Sequence, residues 1–178
     1  MPECRGLKFT GIPAPEELVN SPGYPNQERL LQGIVAVIEC LEEIPCNPCE
    51  TACPFGAIQV GVPITNLPRF LAERCTGCGR CIPACPGLAI FLVDLNYSPD
   101  EALVGLPYEF LPLPRPRDKV RLRNREGKEI GEGTVVRVTN PPRYNFTAVI
   151  YVTVPRELAM VVRSIWPIKK TIKSVKGK

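Results

Sequence analysis

The stretch Cys75-Thr-Gly-Cys78-Gly-Arg-Cys81-Ile-Pro-Ala-Cys85-Pro86 decides how this chain is read. Its four thiols follow the spacing C-x2-C-x2-C-x3-C-P. Thiols two residues apart wrap one corner of a compact inorganic core. Gly77 and Gly79 let the backbone turn tightly there and aim N–H groups at the core. Pro86 then turns the chain away after the fourth thiol. Residues 46–58, CNPCETACPFGAI, align at an offset of 32 with residues 78–90, CGRCIPACPGLAI, and 7 of the 13 positions are identical. Such a duplication predicts two similar lobes about a pseudo-twofold axis.

Eight of the nine cysteines lie between positions 40 and 85. The N-terminus Met-Pro-Glu-Cys-Arg has no hydrophobic export region, and no apolar run approaches the roughly 20 residues of a membrane span. The expectation is a soluble cytoplasmic protein, in which clustered thiols ligate metal and do not form disulfides. Zinc commonly takes His and two separated ligand pairs, whereas this chain has no His. Two iron-sulfur clusters of the 4Fe-4S type are the better account, with the cysteine before each proline reaching across to the other cluster. Cys4 lies outside the repeat and is read as a spare thiol.

Residues 34–95 resemble the bacterial dicluster ferredoxins. The resemblance implies that Cys75, Cys78 and Cys81 hold one cluster with Cys53, and that Cys85 completes the other with Cys46 and Cys49. The first lobe departs from the pattern, because the offset maps Cys75 onto Glu43. Cys40 is expected to fill that place through a loop longer by three residues. The alternatives are a 3Fe-4S cluster, or carboxylate ligation by Glu43. The acidic residues Glu39, Glu42, Glu43 and Glu50 flank the first loop, and Arg74 and Arg80 flank the second. Reduction adds negative charge, so the second cluster is expected to have the higher potential.

Charge marks a boundary along the chain. Residues 1–114 hold 6 Lys/Arg against 13 Asp/Glu, a net of −7, and residues 115–178 hold 16 against 5, a net of +11. The 21 prolines predict short elements and no long helix. The expected fold is α+β. An irregular lead segment (1–33), with a short helix near Asn26–Leu31, precedes a dicluster ferredoxin-like domain (34–105). A small β-rich, barrel-like docking domain follows (106–168), and then a basic mobile tail (169–178). Within the β-rich part, strands are expected at 119–123, 130–139 and 146–154. Phe146, Ala148, Ile150 and Val152 share one face, and a closing helix from Pro155 presents Leu158, Val161, Val162 and Ile165. Arg121, Arg123 and Arg125 would line one side of a strand and meet an acidic partner.

No GxGxxG loop, nucleophilic triad or catalytic histidine is present, so no catalytic site of its own is expected. The stretches AVIECLEEIPCNPCETACPFGAI (36–58), LPYEFLPLP (106–114), REGKEIGEGTVVRV (125–138) and VPRELAMVVRSI (154–165) resemble a narrower group. It comprises the small ferredoxin-like subunits of multi-subunit FAD-dependent amino-acid dehydrogenases of the proline and hydroxyproline type. This resemblance implies a flavoprotein partner that carries FAD or FMN on its own subunits and passes electrons to this chain. The alternatives are a free dicluster ferredoxin or an iron-sulfur nucleic-acid-binding protein, the latter read from the basic C-terminal part.

Overall fold

A computed structural model describes residues 5–167; Cys4 and the basic segment 169–178 lie outside them. Prolines and caps keep every described helix short. The helix α1 (Leu7–Thr10) is followed by α2 (Pro15–Val19), which starts on a proline. The Glu17 carboxylate accepts from the N–H groups of Ala14 and Leu7, at 2.7 and 2.9 Å, and joins the two starts. In α3 (Gln27–Leu30), Asn26 caps the first turn by accepting from Arg29 N at 2.8 Å. No described helix is long and apolar enough to cross a membrane.

The next elements form the duplicated half: β1 (Val35–Ile38), α4 (Pro48–Ala52), β2 (Ile58–Gln59), β3 (Arg69–Phe70), α5 (Cys81–Ala84) and β4 (Ile90–Asp94). Beyond them run β5 (Glu101–Tyr108), β6 (Lys119–Arg123), β7 (Glu129–Thr139), β8 (Ala148–Pro155) and β9 (Ser164–Pro167). Seven strands form one antiparallel sheet in the order β1-β4-β5-β8-β7-β6-β9, and β2 and β3 pair apart from it.

The sheet is a wall between two cores. Strand residues alternate across it with a period of two. Val35, Val37, Phe91 and Val93 enter one core with Ala148, Ile150, Val152 and Val154. Ala36, Ile38, Ile90 and Leu92 enter the other with Val149, Tyr151, Cys49 and Cys81. A strand with apolar neighbours on both faces carries no polar alternation, which is why β8 is buried from Ala148 to Val154. The sheet curls beyond β8, and Phe110, just past β5, meets Trp166 of β9 with ring centroids 6.5 Å apart.

Three expectations are corrected. The boundary at 105/106 falls inside β5, where Gly105 pairs with both Leu92 and Tyr151, so the cysteine-bearing half and the β-rich half share one sheet. The closing helix is a 3-10 turn (Arg156–Leu158) followed by β9. Pairing with β6 satisfies the backbone there, and Val162 and Ile165 are buried without a helix. Phe146 leaves the β8 face: it precedes the strand at a φ of 70° and is 85% exposed.

One ion network joins β1 to the C-terminal part. Arg125 Nε donates to Glu39 Oε2 at 2.8 Å and its Nη2 reaches Oε1; Arg163 Nε donates to Glu39 Oε1 at 2.7 Å. Arg163 also stacks over Phe91, 4.7 Å from the ring centroid. Burial pushes the Glu39 carboxyl up, but the Arg125 hydrogen bond and the Arg163 charge outweigh it and hold the group below its ordinary value. Breaking a buried pair leaves an uncompensated charge, so Arg163→Met should cost about 3 kcal/mol. The check is the urea midpoint of the full chain, and an unchanged midpoint would refute the role of the network.

Candidate metal centres

The duplication in sequence is a duplication of hydrogen bonds. In the β1–β4 ladder Ile38 pairs with Ile90 and Val37 with Phe91. Shifting each residue by 32 in opposite senses gives Phe70 with Ile58 and Arg69 with Gln59, the observed β2–β3 pairs. Glu39 N donates to Ala89 O at 2.8 Å, and its counterpart Leu71 N donates to Ala57 O at 2.8 Å. The helices α4 and α5 occupy equivalent places, each ending at a cysteine: Cys53 N donates to Glu50 O and Cys85 N to Ile82 O, both at 3.2 Å. The turn that follows needs a left-handed residue in both lobes. Gly56 supplies it at a φ of 58° and Leu88 at 52°.

That turn aims a donor at each lobe's last sulfur. Ala57 N donates to Cys53 Sγ at 3.3 Å and Ala89 N to Cys85 Sγ at 3.4 Å. Hydrogen bonds to thiolate sulfur stabilise its negative form and tune a bound cluster.

Electrostatic coupling sorts the thiols into two groups of four. Burial pushes Cys49 up to about 11, and Cys85, Cys40 and Cys46 act on it in the same direction. Cys40 is raised by burial and then by Cys85 and Cys46. Burial raises Cys81 much further, with Cys75, Cys78 and Cys53 adding to it. Cys53, Cys75, Cys78 and Cys81 line one apolar cavity together with Phe55, Ile58, Phe70 and Leu92. Each lobe therefore keeps three thiols beside its own loop and places its last, Cys53 or Cys85, beside the thiols of the other.

The donor set fits polynuclear iron. Burial and neighbouring sulfurs raise Cys40 and Cys49 in one group and Cys81 in the other, and a cationic core would remove that cost by taking these thiols as thiolates. Among the described residues no three Cys, Asp or Glu side chains converge closely enough to hold a single metal ion. Glu43 is exposed, and the side chains that act on Cys40 are those of Cys85, Cys46 and Glu42.

Other expected residues lie elsewhere. Arg121 is engaged with Glu129 at 3.1 Å, and Arg123 sits 5.1 Å from the Trp166 ring centroid. Arg125 is internal, held by Glu39 and Met160 O, so the three do not form one free docking stripe. Glu39 faces two arginines and adds no uncompensated negative charge beside Cys40. This weakens the acidic side of the argument for a lower first potential. Sequence reasoning missed Tyr151, whose hydroxyl lies against Gly79 and whose ring carries Arg137, 3.9 Å from its centroid. Nothing in the alternation of β8 marks it apart from a core residue.

Comparison with known proteins bears on these centres. Residues 40–94 match the family described as the LdpA Fe-S cluster-binding domain. This segment is an iron-sulfur cluster-binding, ferredoxin-like domain. It is similar to a subunit of the Na(+)-translocating ferredoxin:NAD(+) oxidoreductase complex of Acetobacterium woodii, 44% identical over 45 residues, 25% of this chain and 13% of the relative. It is also similar to a subunit of an ion-translocating oxidoreductase complex of Methanosarcina acetivorans, 43% identical over 49 residues, 28% of this chain and 17% of the relative. The ferredoxin-type protein NapF of Haemophilus influenzae is 35% identical over 60 residues, 33% of this chain and 34% of the relative. The matched segments span about a third or less of the length of these relatives. No solved structure matches.

The first group gives the sharper test. Cys40→Ala should remove or convert one cluster, seen as lost iron and a changed EPR spectrum in the reconstituted chain, whereas Glu43→Ala should leave both unaltered. The reverse pattern would transfer the ligand role to Glu43.

Proposed function

We propose that this chain is an electron-transfer protein with a dicluster ferredoxin-like arrangement carrying two 4Fe-4S clusters. One is held by Cys40, Cys46, Cys49 and Cys85, the other by Cys75, Cys78, Cys81 and Cys53. The observation that carries the reading is the division of eight thiols into two sets of four across a hydrogen-bonded pseudo-twofold. Such clusters supply one-electron exchange without bond making. The chain's own residues position the sulfurs and donate N–H groups from Ala57 and Ala89. Phe55, Ile58, Phe70 and Leu92 line the apolar cavity that the second set shares.

The finer reading is a subunit that takes electrons from a flavin-containing amino-acid dehydrogenase in the cytoplasm and passes them to an acceptor. Its support is the resemblance of residues 36–58, 106–114, 125–138 and 154–165 to the small subunits of proline-type dehydrogenases. The relatives named as subunits of oxidoreductase complexes agree with a place in an assembly. Purification of the tagged chain from its native host under anaerobic conditions tests this. The expected result is a co-purifying flavoprotein and bleaching of the cluster absorbance when proline or hydroxyproline is added. A chain that purifies alone, with clusters that no amino acid reduces, would favour a free ferredoxin.

A further inference from the structure

The two ends of the cysteine-bearing half differ in charge. At the first group, Glu42 and Glu43 are exposed and Glu50 accepts from Gly61 N at 3.3 Å. Around the second group lie Arg74, Arg80, Arg137 and Arg143, all exposed. Two elements far apart in sequence supply this basic face. Arg80 lies between Cys78 and Cys81, and it lines a groove with Arg143, Tyr144 and Asn145 of the turn before β8. Arg137 of β7 sits over Tyr151, whose hydroxyl lies against Gly79. Arg74 reaches Gly56 from the other lobe. Among the described residues, none of these four arginines is in an ion pair.

The same face carries two further features of a contact surface. Cys78 is exposed while the other seven thiols of the two groups are buried or half-buried, so the second group comes nearest to solvent here. Phe146 stands 85% exposed directly after the groove residue Asn145, and both adopt positive φ values that present the ring outward. Arginine and aromatic side chains are the types that concentrate binding energy at protein interfaces. A core with four thiolates carries about −2 when oxidised, so four unpaired cations exceed what it would neutralise.

We propose that the arginine face over Cys78 docks an acidic redox protein, with Phe146 as its apolar anchor, so that the second-cluster end is the port for electrons exchanged with that partner. The inference rests on the electron-transfer reading above. It goes beyond it by assigning the port, and by placing it at residues other than Arg121, Arg123 and Arg125. A protein carboxylate surface is favoured over nucleic acid because Tyr144 and Tyr151 are buried, which leaves Phe146 without a row of exposed stacking rings beside it.

The test uses the full chain with its clusters reconstituted anaerobically, with flavodoxin as the acidic probe and cytochrome c as the basic one. Iron content and EPR are recorded first. A wild-type chain without clusters would overturn the electron-transfer reading itself, and is told apart from a docking failure by that measurement. The loaded chain should bind flavodoxin in a salt-sensitive manner, with the dissociation constant rising about tenfold from low to physiological ionic strength. Arg143→Glu, distant in sequence from any cysteine, and the double variant Arg80→Glu/Arg143→Glu should weaken binding by roughly tenfold or more. Phe146→Ala should weaken it with the salt dependence kept. Glu42→Lys/Glu43→Lys should leave flavodoxin affinity within about twofold. Unchanged affinity in Arg143→Glu with intact clusters would overturn the proposal. So would equal binding of cytochrome c at this face, or displacement of flavodoxin by a single-stranded oligonucleotide.

Discussion

Cys53 and Cys85 each close one lobe yet lie beside the thiols of the other, and this exchange constrains everything built around it. Two lobes that each place a thiol in the other's group cannot drift apart without dividing both groups. The paired ladders β1–β4 and β2–β3 hold the exchange in place, because their registers are related by the same shift of 32 residues as the cysteines. The physical demand is electrostatic. Burial first, and then the neighbouring sulfurs, raise Cys40, Cys49 and Cys81 above the ordinary thiol value, a cost that a cationic core would relieve.

The rest of the chain serves that constraint by giving it a rigid backing. β1 and β4 belong to the lobes and also to the seven-stranded sheet, so the second core presses on the back of the first. Glu39 stands one residue before Cys40 and is held by arginines that come from after β6 and from before β9. The farther of them, Arg163, lies 124 positions downstream, so a distant stretch of chain fixes the end of the strand that delivers the first thiol. Buried ion pairs add little net stability but are costly to break in half, which suits a role in fixing one arrangement.

Much of this was legible in the sequence where local spacing carries the information. The C-x2-C-x2-C-x3-C-P run and the offset repeat predicted the two lobes, and the β-branched run Ile34–Ile38 predicted β1. The strand at Lys119–Arg123 follows its polar alternation, and the turn at Gly127 has the positive φ that a glycine permits. What failed depended on partners distant in sequence. The charge shift near residue 114 looked like a domain boundary, yet β5 runs through the chosen division because its neighbours β4 and β8 come from both sides of it. The apolar spacing of Leu158, Val161, Val162 and Ile165 fits a helix, but β6 offers an open edge and β9 takes it. Arg125 looked free because its partner Glu39 lies 86 positions away.

Where iron sits relative to the eight named sulfurs decides whether they form two clusters. Anomalous diffraction at the iron absorption edge, from crystals of the anaerobically purified chain, measures that directly. Two compact iron clusters are predicted, one enclosed by Cys40, Cys46, Cys49 and Cys85 and the other by Cys53, Cys75, Cys78 and Cys81. A single cluster, a first cluster bound through Glu43 in place of Cys40, or signal at the zinc edge instead would contradict it.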